Sequence, residues 1–106
     1  MPRPRRAVIW SPEAEQDLFD ISGYLTVEAS ARTAEKYLRA INRASERVRT
    51  RPLSGRARDE LISGLRSVLV HPYVVFYRTA EFSVEIVRVL HQRRDLDAIF
   101  AEDVDG

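Results

Sequence analysis

Two periods of apolar residues run along the chain. Ala14, Leu18, Ile21 and Leu25 recur at helical spacing, and so does the second set Ala34, Tyr37, Leu38, Ile41, Ser45 and Val48. Such spacing places each set on one helix face. Ser11 precedes Pro12 and the acids Glu13, Glu15 and Asp17. A serine cap, a proline in the first turn and early acids mark a helix start, so a helix is predicted from 12 to about 27. Gly23 weakens that helix without ending it. Val27 to Ser30 forms a short break, Ser30 caps a second helix over 31–49, and Pro52 stops it. So short a connection predicts an antiparallel helical hairpin.

Beyond the loop RPLSGRAR at 51–58 the period changes to two. Leu65 to Val70, Tyr73 to Arg78 and Val84 to His91 are rich in Val, Ile, Leu, Tyr and Phe. The gaps at His71-Pro72 and Thr79 to Ser83 are short enough for hairpins, so the three runs predict an antiparallel meander. Strict alternation puts Val84, Ile86, Arg88 and Leu90 on one face of the last strand, and Glu85, Val87, Val89 and His91 on the other. The apolar run up to Trp10 predicts a first strand over 6–10. Asp95 to Glu102 predicts a closing helix, with 103–106 frayed. The order is β-α-α-β-β-β(-α). This is an α+β fold, a helical hairpin packed on one face of a small antiparallel sheet, in a single domain over 1–106. The first strand joins the same sheet at an edge or beside the last strand.

Composition narrows the chemistry. The 106 residues include no cysteine, which removes disulfide frameworks and cysteine metal sites and makes the cytoplasm the natural compartment. The start MPRPRRAVIW is basic, but its apolar run is too short for a secretory signal, and no segment is long enough to span a bilayer. The net charge of +1 hides a segregation: residues 32–94 carry thirteen arginines, one lysine and six acids, a net +8, while residues 95–106 carry five acids and no base. A basic middle suits an acidic partner, whether protein or nucleic acid, and equally suits a solvated surface. Arg32, Lys36, Arg39, Arg43 and Arg47 line one face of the second helix, which reads as a solvated face.

No glycine-rich phosphate loop and no His/Asp/Glu cluster with metal spacing is present, so neither cofactor nor metal is expected. What remains is metal-free acid–base work on a phosphate, or binding without chemistry. RNA cleavage of that kind needs a base, an acid and cations for the phosphorane. His91 is suited to proton transfer, and Arg66, Arg78, Arg88, Arg93 and Arg94 to phosphate. The ordinary alternative for His91 is a strand-end side chain bonded to a neighbouring carboxylate or carbonyl. Arg66 and Arg78 read equally as surface residues or as the lining of a basic cleft on the open sheet face. Arg88, among apolar neighbours on a core-directed face, must reach the rim or a partner. Trp10 reads as core, and Tyr24 and Tyr37 as packing residues with a wet hydroxyl.

Three stretches also resemble a known family. WSPEAEQDLFDISGYL resembles the first helix of the ParE/RelE toxin superfamily, with its S-P-x-A-x-x-D-L-x-x-I pattern. GRARDELISGLRSVLVHPYVVFYR resembles the family's G-R-x-R-x-E-L-x-x-G-L-R-S loop and Y-V-x-F-Y-R strand, and VEIVRVLHQRRDL resembles its closing I-x-R-V-L-H-x-x-R-D. The likeness covers roughly residues 7–100 and is nearest the ParE branch. It implies the toxin of a type II toxin–antitoxin pair, directed at DNA gyrase as ParE-like proteins are. RelE-like relatives instead cut mRNA on the ribosome with lysines, arginines and a tyrosine or histidine. This chain has one lysine and no tyrosine near its C-terminus, so in that role His91 would act with Arg66, Arg78 and Arg88. A non-toxic antitoxin-binding relative is the third option. The resemblance also implies an antitoxin, expected to be of the ribbon-helix-helix type, whose acidic C-terminal segment meets Arg56, Arg58, Arg66, Arg78 and Arg88. Sequence-specific DNA binding by this chain itself is not expected.

Overall fold

The structure, a computed structural model, describes residues 6–105. Strand β1 (Ala7–Trp10) leads into helix α1 (Pro12–Glu28), and helix α2 (Ala31–Thr50) returns beside it. Strands β2 (Arg56–Ala57), β3 (Arg66–Val70), β4 (Tyr73–Thr79) and β5 (Ser83–His91) follow, and helix α3 (Leu96–Asp105) closes the chain. Both predicted caps form. The Ser11 side chain accepts from the Ala14 N–H at 3.0 Å, and Ser30 accepts from Thr33 at 3.0 Å. Gly23 sits within α1 without interrupting it.

The sheet order is β1-β5-β4-β3-β2. β3, β4 and β5 form the antiparallel meander, and β1 joins as an edge strand beside β5. β1 runs parallel to β5, so the sheet is mixed rather than wholly antiparallel. The hairpin between them supplies the crossover that a parallel pair requires. β2 is too short to show a period-two pattern, and it pairs only with Ser67 and Arg66. Helix α3 runs three residues past its expected end at Glu102, since neither Gly nor Pro interrupts it before Gly106, which lies outside the described residues.

The hairpin covers one sheet face. Ile41 and Val48 of α2 and Ala14 of α1 are fully buried against Val75, Tyr77, Val84, Ile86 and Val89, with Trp10 packed at the margin. Burying each large aliphatic side chain contributes roughly 1.5–3 kcal/mol. The opposite face is not open. Leu65, Phe76, Leu90 and Phe100 form a second core there, closed by α3 and by Leu61 and Ile62 of the preceding loop. Tyr24 is exposed rather than packed, because α1 turns that position outward.

One irregularity redistributes the side chains of β5. Phe76 pairs with Arg88 while Tyr77 pairs with Ile86, so Val87 is an extra residue, a β-bulge. A bulge breaks period-two alternation. Val84, Ile86, Val89 and His91 therefore share the hairpin face with their partners on β4, while Arg88 and Leu90 lie on the other. Strict alternation assigned Val89 and His91 to the face opposite Val84 and Ile86, and the bulge reverses that.

Candidate functional site

The bulge lies where β1 stops covering β5. Beyond Trp10↔Ile86 that edge of β5 has no strand beside it, and the start of α1 takes its place. The Ser11 N–H donates to the Ile86 carbonyl at 3.0 Å, and the Ser11 hydroxyl donates to the Val87 carbonyl at 2.7 Å. Asp17 accepts from the Val89 N–H at 2.9 Å. The same carboxylate takes two parallel bonds from the Arg88 guanidinium, at 2.9 and 3.0 Å, with both side chains mostly buried. Arg88 thus reaches a partner, as its core-directed position requires. The S-P…D spacing of the sequence places a cap and a carboxylate along the same strand edge. Asp17 is the residue that sequence reading missed, taken only as an early helix acid. The signal was there: positions 14, 17, 18, 21 and 25 form one stripe, so this acid sits on the buried side.

A second clamp holds the loop after α2. The Tyr77 hydroxyl donates to the Pro52 carbonyl at 2.8 Å and accepts from the Gly55 N–H at 2.9 Å. Arg66, opposite Tyr77 on β3, donates to the carbonyls of Gly55 at 2.7 Å and Leu53 at 3.2 Å. This loop presents Arg56, exposed on β2, and Arg58. Arg58 donates to Glu60 at 2.9 Å and to Ser67 at 3.3 Å, and its guanidinium lies 5.4 Å from the Phe76 ring centre. The bond from Arg58 holds the Glu60 carboxyl below its ordinary range.

The sheet separates the residues considered for ribonuclease chemistry. Arg66 and His91 lie on the hairpin face, near opposite ends of β4, since their partners there are Tyr77 and Tyr73. Arg78 and Arg88 lie on the other face. Arg78 pairs with Glu85 at 2.8 Å near the surface, and a small cleft beside Ile62, Val87 and Pro12 includes Arg78 and Arg88. Four of the five arginines expected to meet an antitoxin, Arg56, Arg58, Arg78 and Arg88, share this side, while Arg66 departs from them.

His91 lines a cleft of ≈ 420 Å³ between the hairpin and the ends of β4 and β5, together with Tyr24, Tyr37, Tyr73, Asp20 and Arg94. Its Nδ1 accepts from the Arg93 N–H at 3.1 Å, and its ring meets Tyr73 edge-on at 5.8 Å. Burial pushes the Tyr73 hydroxyl above its ordinary value, with Tyr37 and Tyr24 adding to the shift. An acid with a raised folded pKa keeps its proton longer folded than unfolded. Its contribution is therefore complete below the unfolded value and is lost as pH rises through the folded one. Unfolding in urea should show stability falling above about pH 10, with a flatter profile for Tyr73→Phe. An equally steep fall in that variant would assign the effect to other groups.

Comparison with known proteins identifies a family and relatives. A family described as the ParE toxin of the type II toxin–antitoxin system parDE matches residues 8–96. Toxin ParE1 of Mycobacterium tuberculosis, in strains CDC 1551 / Oshkosh and ATCC 25618 / H37Rv, is 39% identical over 88 residues, covering 82% of this chain and 90% of the relative. A solved chain of the chromosomal ParDE TA system from P. aeruginosa superposes with a TM-score of 0.72 at 20% identity, covering 84% of this chain and 98% of that one, which supports the fold. With a family match spanning both the S-P…D edge and the clamped arginine loop, the chain belongs to the ParE toxins of type II toxin–antitoxin systems.

Proposed function

We propose that this toxin acts in the cytoplasm by binding DNA gyrase rather than by cutting RNA, and that a ribbon-helix-helix antitoxin neutralises it. The observation that carries this reading is the division of the candidate catalytic set by the sheet. Metal-free RNA cleavage needs its proton donors and acceptors around one phosphate. Here His91 stands on one face, with one ring nitrogen engaged by backbone, Arg78 stands on the other paired with Glu85, and the Arg88 guanidinium is engaged by Asp17. Arg58, Arg66 and Arg88 are held by intramolecular bonds. In the antitoxin complex these three keep the surface in shape, while exposed Arg56 and Arg78 supply charge to the antitoxin's acidic segment. A complex that left Arg56 and Arg78 exposed would overturn that assignment.

The test is supercoiling by purified gyrase with the free toxin added. Supercoiling should stop at stoichiometric toxin. Unaltered supercoiling at excess toxin would reject gyrase as the target. His91→Ala should arrest growth as the parent does; loss of arrest in a folded, antitoxin-binding variant, with ribosome-dependent mRNA cleavage by the parent, would establish the ribonuclease alternative.

A further inference from the structure

Helix α2 carries a stripe that neither the fold nor the antitoxin reading uses. Arg32, Lys36, Arg39, Arg43 and Arg47 are all exposed. At about 100° per residue they fall within about 80° of arc, and at about 1.5 Å per residue they extend over about 22 Å. Only Arg39 has an ion pair, with Glu35 at 3.2 Å. Among the described residues, Arg32, Lys36, Arg43 and Arg47 have none, although the chain holds sixteen acids; Lys36 lies 5.9 Å from the Tyr37 ring centre. Five cations held in line, four of them without an ion pair among the described residues, repel one another, and a polyanion relieves that repulsion.

We infer that this face of α2 binds the phosphate backbone of duplex DNA without regard to sequence, and so holds the free toxin on DNA. The make-up of α2 itself favours this occupant. An acidic amphipathic peptide or a membrane surface needs apolar side chains beside the charges. The apolar side of α2, Ala34, Ile41, Ala44 and Val48, is buried in the core, and none of its large apolar side chains is exposed. A single strand is gripped by aromatic platforms. The one aromatic residue of α2, Tyr37, packs against Tyr73 at 5.9 Å instead. A straight row of cations matches a rigid backbone bearing one charge per about 1.7 Å of axis. Arginine, four of the five, also forms forked bonds to phosphate.

The test is fluorescence anisotropy of a labelled duplex of about 20 base pairs titrated with the full-length toxin at salt from about 50 to about 200 mM. Neutralising four to five phosphates predicts a slope of log K against log salt near −4, at roughly −0.9 per phosphate. The variant combining Arg32→Gln, Lys36→Gln, Arg43→Gln and Arg47→Gln should bind at least about 100-fold more weakly at the lowest salt, with a slope between zero and about −1, since Arg39 remains. Glutamine keeps helix propensity at these exposed positions, and circular dichroism checks the fold. The pair Arg3→Gln and Arg5→Gln, which lies outside α2, should bind as the parent does. The inference is overturned if the parent does not bind at the lowest salt or if the α2 variant binds equally. Equal binding of a single strand, or of vesicles of anionic phospholipid, would also overturn it. Gyrase does not enter the assay, so the outcome is independent of the toxin's target.

Discussion

Asp17→Ala should lower stability by about 3 kcal/mol, more than any surface charge in the chain, because it leaves a mostly buried arginine without its carboxylate. The carboxylate accepts both Arg88 bonds and the Val89 N–H. One substitution thus exposes a charge and an unsatisfied strand-edge donor together. For a domain of this size each kcal/mol moves the melting temperature by roughly 4–8 °C, so a fall of more than about 10 °C is expected. Asp17→Asn should recover part of the loss, since its amide oxygen still serves Val89 while the charge is gone. Arg88→Met added to Asp17→Ala should cost less than the sum of the two, as their coupling requires. A melting temperature within a degree or two of the parent would show that α1 does not secure β5 through this carboxylate.

Gly55→Ala should be the second severe change, and for a steric reason. Gly55 does not have a positive φ; among the described residues only Gly64 does, at 82°. A Cβ at Gly55 would meet the Tyr77 hydroxyl, lie 2.7 Å from its ring and stand 2.9 Å from the Ser67 carbonyl oxygen. The tyrosine cannot yield cheaply, since its hydroxyl is bonded on both sides to the loop. Overpacking of this kind costs about 2–3 kcal/mol. The damage falls on the loop carrying Arg56 and Arg58, so antitoxin affinity should drop with stability. Gly23→Ala is the matched control: an added Cβ there meets nothing within 4 Å, and the helix should gain roughly 0.5–1 kcal/mol. If Gly55→Ala left the urea midpoint unchanged, the Tyr77 clamp would not be closed in solution.

Much of the architecture was legible because it rests on local signals. Ser11-Pro12 and Ser30 mark helix starts by chemistry confined to one turn, and the changeover from helical to period-two spacing near residue 58 reports which backbone buries which face. The arginines proposed to meet the antitoxin were legible only as residue types. Arg66 and Arg78 stood equally for a cleft or a surface, because a strand does not say which face its neighbours cover. The bulge at Val87 was not legible at all. It is defined by the register against β4, where two residues of one strand oppose one of the other. Nothing within VEIVRVLH distinguishes that from an unbroken strand.

The sequence by itself determined the helical hairpin, the meander, the absence of cysteine chemistry and the concentration of arginine in the middle of the chain. These follow from periodicity, caps and composition, which act over a few residues or none. Only the tertiary structure decided that Asp17 belongs to Arg88, that Arg66 serves the loop rather than the face shared by Arg56, Arg58 and Arg78, and that His91 lies on the hairpin face with Val84 and Ile86. Each of those facts rests on contacts between separate elements, and the face His91 takes turns on a register that a single extra residue reverses. The same holds for the cations of α2. Their spacing was plain in the sequence, but that four of the five have no ion pair among the described residues became visible only once the neighbouring elements were in place.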